Sequence, residues 1–207
     1  MASWAILIFF GNRILSDMRK HYRSFRFLLL LALLSLAACS HEGTRPMPDL
    51  TTQAKIDLPR YMGAWHVIAN IPYFGEKGDV ASRDVYTLDK DGRVQTTYFY
   101  RKAFDAPEKS LDSVGIVQPG SDNARWIVRF FWLFRADYLI LEVAPDYSWV
   151  LVGQPSRKLG WVLARDAAMS DDQYATLLQK FAGYGYDTRK FARIPQFAEQ
   201  LGKPGFQ

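Results

Sequence analysis

Between residues 65 and 165 eight apolar runs of strand length follow one another, with short connections and no crossover helix between them. They occupy residues 65–71, 83–88, 93–101, 110–117, 124–131, 138–143, 147–153 and 159–165. Asp91-Gly92 between the second and third runs is a strong hairpin dipeptide, and Pro119-Gly120 closes the fourth. Parallel neighbours need a crossover of a dozen or more residues, usually a helix, so these runs predict antiparallel strands paired with their sequence neighbours. Eight such strands suit an all-β, eight-stranded antiparallel up-and-down barrel, whose closure removes both sheet edges. An immunoglobulin-like sandwich is the structural rival, but the paired cysteines are missing and every connection suits neighbouring strands.

One helix follows the strands. Ser170 can cap it, with Gln173 three residues on and Asp171 and Asp172 in the first turn. Tyr174, Leu177, Leu178 and Phe181 form one apolar stripe, and Gly183 is placed to end the helix. The stripe is expected to pack on the outside of the barrel. Residues 191–194 could add a short ninth strand before Pro195.

The N-terminal segment reads as an address. From Met18 a basic stretch leads into the apolar residues 27–38 and then Cys39, the single cysteine of the chain. Twelve residues of helix reach about 18 Å, against roughly 30 Å of hydrocarbon, too short to span well. Leu36-Ala37-Ala38-Cys39 resembles the lipobox of bacterial lipoproteins, which implies that Cys39 becomes the lipidated first residue of the mature chain. Ser40 in the next position implies sorting to the outer membrane of a Gram-negative-type bacterium. Residues 1–17 fit no part of such a signal and point to a mis-assigned upstream start. The expected organisation is therefore a signal peptide at 18–38, a polar, proline-bearing tether at 39–58, barrel plus helix at 59–196, and a tail at 197–207. The same segment explains the net charge of +5. The first 38 residues hold five of the 26 bases and one of the 21 acids, so the remaining 21 bases and 20 acids nearly balance. A nucleic-acid partner is not expected. An aromatic content of 15% excludes disorder, and a lone thiol excludes a disulfide scaffold.

Three short motifs then carry a family resemblance. Gly63-Ala64-Trp65 resembles the Gly-x-Trp that opens the first strand of lipocalins. Asp146-Tyr147 falls where the family has Thr-Asp-Tyr, with Pro145 in place of the threonine, and Arg165 ends the eighth strand as the third motif. Together with the helix and residues 186–191, the chain resembles bacterial outer-membrane lipoprotein lipocalins over about residues 57–196. The resemblance implies that Gly63, Trp65 and Arg165 build the closed floor of a calyx, the arginine lying on the indole, with structural rather than catalytic roles.

An eight-stranded barrel is just wide enough to be packed full or to hold one small molecule, and aromatic strand faces suit either. The family resemblance implies the cavity. The calyx candidates are Tyr98, Tyr100, Trp126, Val128, Phe130, Tyr138, Ile140 and Trp149, with Tyr138, Ile140 and Glu142 sharing one face and Tyr147, Trp149 and Leu151 another. Which alternate face points inward stays open, and Glu142 suits an outward, solvated position better than an inward one. The loops at one end carry Phe74, Phe104, Trp132, Phe134 and Arg135, with Lys77, Lys102, Lys109, Arg157 and Lys158 beside them, a candidate mouth that could meet a membrane.

No nucleophile motif, zinc-ligand pattern or phosphate loop occurs, and His66 on the first strand lacks an obvious partner. No cofactor, metal or catalytic residue is expected. The expected function is binding of a small hydrophobic ligand, by resemblance a fatty acid or lysophospholipid, for transport or storage of membrane lipids. The expected partners are that ligand and the membrane through the lipid anchor, with a homodimer left open. The alternative is an envelope enzyme of isomerase or esterase type, which a perturbed acid or base pair inside the cavity would favour.

Overall fold

A computed structural model of the protein describes residues 49–207 apart from Gln53 and Trp132. The expected signal peptide, Cys39 and the first part of the tether lie outside the described residues, as does Trp132.

Eight strands run antiparallel in sequence order: β1 (Gly63–Asn70), β2 (Val80–Leu88), β3 (Val94–Arg101), β4 (Lys109–Val117), β5 (Arg125–Phe130), β6 (Phe134–Val143), β7 (Trp149–Gly153) and β8 (Gly160–Ala164). Each pairs with the next, and β1 pairs with both β2 and β8, so the sheet closes into an up-and-down barrel. A short β9 (Ala192–Arg193) adds to the end of β1 outside the barrel. Asp89 accepts from the backbone of Asp91 and Arg93 and shapes the β2–β3 hairpin, where Gly92 takes a φ of +74°.

A short helix, α1 (Leu58–Tyr61), precedes β1, capped by Asp57 and opened by Pro59. Its approach belongs to the barrel rather than to a free tether. Ile56 is buried in the interior cluster, its N–H donates to the Asp122 carbonyl, and Asn123 donates back to its carbonyl. The second helix, α2 (Asp171–Gly183), starts where the Ser170 hydroxyl accepts from the Gln173 N–H at 3.2 Å. Leu177 and Phe181 are its buried residues and join the outward faces of β6, β7 and β8 through Leu139, Leu141, Leu151 and Val162.

The barrel wall therefore separates two apolar clusters. The inner one holds Trp65, Val67, Tyr86, Val94, Trp126, Ile140, Val150, Val152 and Leu163. The outer one lies under α2. This division corrects the expected face of β7, because Val150 and Val152 point inward while Trp149 and Leu151 belong to the outer cluster. In β6 the register slips between Ile140 and Glu142, and this bulge takes Glu142 off the inward face of Tyr138 and Ile140. Glu142 then meets Lys180 of α2 at 2.5 Å.

Strand β6 also begins earlier than the sequence predicts. Phe134 and Arg135 pair with Phe130 and Arg129, so they are strand residues, and the fifth connection is shorter than expected, with the Leu133 N–H donating to the Phe130 carbonyl. The alternation Phe134, Ala136, Tyr138 continues the inward row, which explains the extension.

Candidate functional site

The closed end is built around Trp65, which is fully buried. The Arg165 guanidinium lies 3.8 Å from its ring centroid. The same guanidinium donates to the carbonyls of Ala64 at 2.7 Å, Arg60 at 2.8 Å and Met62 at 2.8 Å, with a longer bond to Tyr61 at 3.2 Å. The Trp65 indole N–H donates to the Tyr61 carbonyl at 2.7 Å. The last carbonyls of a helix have no intrahelical partner, and the arginine supplies donors to those of Arg60 and Tyr61 at the end of α1 and to those of Met62 and Ala64 just after it. Gly63 makes the approach geometrically feasible. Its φ of +93° suits only glycine, and a Cβ there would sit 3.4 Å from Arg165 Nη1.

Above this floor the barrel is filled with aromatic rings. Trp126 stacks on Tyr138 with centroids 4.9 Å apart, and Tyr61 and Tyr86 pack edge-on against Trp126. The three tyrosine hydroxyls form a chain, Tyr61 to Tyr138 at 2.7 Å and Tyr138 to Tyr86 at 2.9 Å. Tyr86 donates its proton to Asp84 Oδ2 at 3.1 Å. Each hydroxyl has one proton, so Tyr86 must accept from Tyr138 and Tyr138 from Tyr61. Of the calyx candidates, Trp126 and Ile140 thus fill the lower barrel, and Tyr138 forms its upper surface.

The upper half is open. A cavity of about 230 Å³ lies there, and Tyr98, Val128, Phe130 and Tyr138 line it. Tyr100 is not part of that lining; it stacks on Tyr98 with centroids 5.3 Å apart, with Lys102 Nζ 5.2 Å from its ring. Trp149 faces outward beneath Lys180. One wall, from β4 to β6, is mostly apolar, with Leu111, Val128, Phe130 and Ala136 beside Ser113 and Asp137. The opposite wall carries Asp84, Tyr86, Tyr98, Tyr73 and Trp161, together with Glu76.

Glu76 is not among the expected calyx residues. The β1–β2 loop folds it into the barrel mouth, where it is only 9% exposed. Asn70 donates to its Oε2 at 2.6 Å, the Trp161 indole to the same oxygen at 2.9 Å, and Tyr73 to Oε1 at 3.2 Å. Burial still raises its carboxyl above the usual range despite these three donors. Asp84 has only the Tyr86 hydroxyl. Burial pushes its carboxyl up to about 7, and the charge of Glu76 adds to the effect. Nearby Asp79 is fully buried, accepts from the Tyr98 hydroxyl at 2.9 Å and binds Lys102, which is therefore engaged at the mouth. No repeated motif marks Glu76 or Asp84. The one usable signal was alternation, since Asp84 shares a row with Trp65, Tyr98 and Leu111.

The rim is apolar. Phe74 is 97% exposed, and Phe131, Leu133 and Phe134 are all more than half exposed. Arg135 is exposed beside them, while Phe104 is half-buried in the β3–β4 loop. Arg157 donates to the Tyr184 carbonyl at 2.7 Å.

Comparison with known proteins agrees with this geometry. Residues 56–196 match the Lipocalin-like domain family. Temperature-induced lipocalin-1 of Arabidopsis thaliana is 34% identical over 151 residues, covering 68% of this chain and 80% of that protein. Apolipoprotein D of Bos taurus is 30% identical over 127 residues, covering 58% and 64%. Among solved structures, lobster apocrustacyanin A1 superposes with a TM-score of 0.55 at 18% identity, covering 69% of this chain and 81% of that one. Insecticyanin of the tobacco hornworm Manduca sexta gives 0.55 at 17% identity, covering 71% and 84%. A closed eight-stranded calyx with its floor tryptophan under an arginine, matched along nearly all of its described length, makes this chain a member of the lipocalin family.

Proposed function

We propose that this lipocalin is a lipid-anchored envelope protein that carries or stores a small hydrophobic molecule of membrane origin, a fatty acid or lysophospholipid being the classes its lipoprotein resemblance implies. The observation that supports this reading is the division of the barrel into a filled aromatic floor and an open, half-apolar upper cavity. Binding would come mainly from apolar burial, at about 25 cal/mol per Å², against Leu111, Val128, Phe130 and Ala136. The exposed Phe74, Phe131, Leu133 and Phe134 support a mouth that dips into a lipid interface, so that a ligand can pass directly between bilayer and calyx. Cys39, in the lipobox-like sequence, would hold the protein at the outer membrane. Native mass spectrometry of the protein taken from its own membrane tests the reading. A diacylated N-terminus at Cys39 with one co-purifying lipid is expected; an unacylated chain that neither carries nor takes up an apolar ligand would overturn it.

The Glu76–Asp84 pair favours a second reading, in which a carboxyl poised near neutrality performs acid–base chemistry on a bound apolar substrate. Turnover of a bound ligand that Asp84→Asn abolishes would distinguish it from carriage.

A further inference from the structure

Apart from Asp137, which Arg125 pairs at 2.9 Å, the carboxylates that line the upper cavity have hydroxyl, amide and indole partners but no base among the described residues. Glu76 is held by Asn70, Trp161 and Tyr73, and Asp84 by Tyr86. No Lys, Arg or His is among the described residues that line the cavity. Lys102 at the mouth is already bound by Asp79. The groups whose charge or hydroxyl bears on Asp84 are Glu76 and Tyr73 from the β1–β2 loop, Tyr61 of α1, Tyr86 of its own strand and Tyr138 of β6. Tyr98 of β3 is its cross-strand neighbour. All of these are acids or phenols. A buried carboxylate without a cation either holds its proton or waits for a positive charge to arrive.

The aromatic faces around it point the same way. Tyr73, Tyr86, Tyr98, Tyr138 and Trp161 line the cavity with Asp84 and Glu76. Electron-rich faces with a carboxylate among them are what an ammonium group seeks, and alkylated ammonium ions favour aromatic cages in particular. A ligand carboxylate would face two acids and no base. The cavity, about 230 Å³, is smaller than the roughly 300–1,000 Å³ of most ligand pockets. It has room for a polar end and the first carbons of a chain, with the remainder leaving past Phe130 and Phe134 at the mouth.

We propose that the calyx selects apolar molecules ending in an ammonium group, which Asp84 and Glu76 receive, and discriminates against free fatty acids. The proposal rests on the ligand-binding reading above and narrows it. The ammonium could belong to a free long-chain amine or to a lipid headgroup.

Four probes with the same chain test this: dodecyltrimethylammonium, dodecylamine, dodecanol and dodecanoate, titrated below micelle formation and read by tryptophan fluorescence. At pH 8 both ammonium probes should bind about tenfold or more tightly than dodecanoate, and the gap should narrow at pH 5.5 as Asp84 takes up its proton. Asp84→Asn with Glu76→Gln should bring the four affinities to within about threefold of one another. Should that variant not fold, the wild-type comparison at the two pH values decides alone. Lysophosphatidylcholine separates the sources: tighter binding than dodecyltrimethylammonium assigns a headgroup, weaker binding a free amine. Equal or tighter binding of dodecanoate at pH 8, or an ammonium preference that survives in the double variant, would overturn the proposal and leave the carrier reading standing. If none of the four probes binds, the carrier reading fails and takes the proposal with it.

Discussion

Asp84 makes a quantitative claim about stability that needs no ligand. Its carboxyl moves from 3.8 to about 7 on folding, with burial as the largest cause and the Glu76 charge next. Between those values the unfolded chain has released the proton while the folded chain still holds it. The folded state therefore binds more protons, and stability must fall as pH rises from about 4 to about 7, then level off. At ~1.36 kcal/mol per pH unit the loss has a ceiling of about 4 kcal/mol. The open cavity beside the group screens the charge and reduces it, so about 1–3 kcal/mol is expected. Asp84→Asn keeps an acceptor for Tyr86 and removes the charge. Urea unfolding of both proteins at pH 4, 6 and 8 measures the difference, in which the parallel titration of Glu76 largely cancels. The variant should match wild type at pH 4 and exceed it by that amount at pH 8, with an unchanged urea slope. A difference that is the same at every pH, or a variant less stable at pH 8, would show that Asp84 is not desolvated as the structure places it.

Three further outcomes follow from other parts of the molecule. Trp65→Ala should cost about 3–5 kcal/mol, and Arg165→Ala about 2 kcal/mol through lost charged hydrogen bonds. Their double-mutant cycle in thermal unfolding should show a coupling of about 0.5–2 kcal/mol, whereas additive losses would mean the two side chains do not support each other. Cys39→Ser should abolish membrane attachment and acylation, read by fractionation and intact mass. Phe131→Ser with Phe134→Ser should slow uptake of a fluorescent lipid from vesicles while leaving the melting temperature within about 2 °C, because both side chains are mostly exposed; unaltered uptake would remove the rim from the docking argument.

The barrel was legible because its strands alternate and its turns carry Gly, Pro and Asp where chain reversal needs them. The helix was legible because the Ser170 cap and the stripe ending at Gly183 coincide with its observed ends. The inward face of β7 was not, for a physical reason. Trp149, Val150, Leu151 and Val152 are apolar on both sides, because one side fills the barrel and the other lies against α2. A period of two disappears from a strand buried on both faces. In β6 a single bulged residue changes the face of Glu142, and no residue type in that stretch announces it. The floor, by contrast, could be read through family motifs, since Gly63 and Arg165 answer to backbone geometry that tolerates little substitution.

The ligand-selecting residues are hidden for the opposite reason. Glu76 sits in a loop, where composition reads as solvated, and only the fold shows that Asn70 and Trp161 draw it inside. Its inward position depends on two strands, β1 and β8, that meet only when the barrel closes. Asp84 looks like an alternating polar residue of an ordinary strand, yet its row is the one that contains Trp65 and Tyr98. Both acids cost stability when ionised, and removing either charge should make a stiffer, more stable barrel. A packed core needs neither of them, because the aromatic floor already closes the lower half. Their cost is offset only when something positive occupies the cavity, and for that reason the specificity of this calyx is expected to lie in its mouth-side acids rather than in its apolar wall.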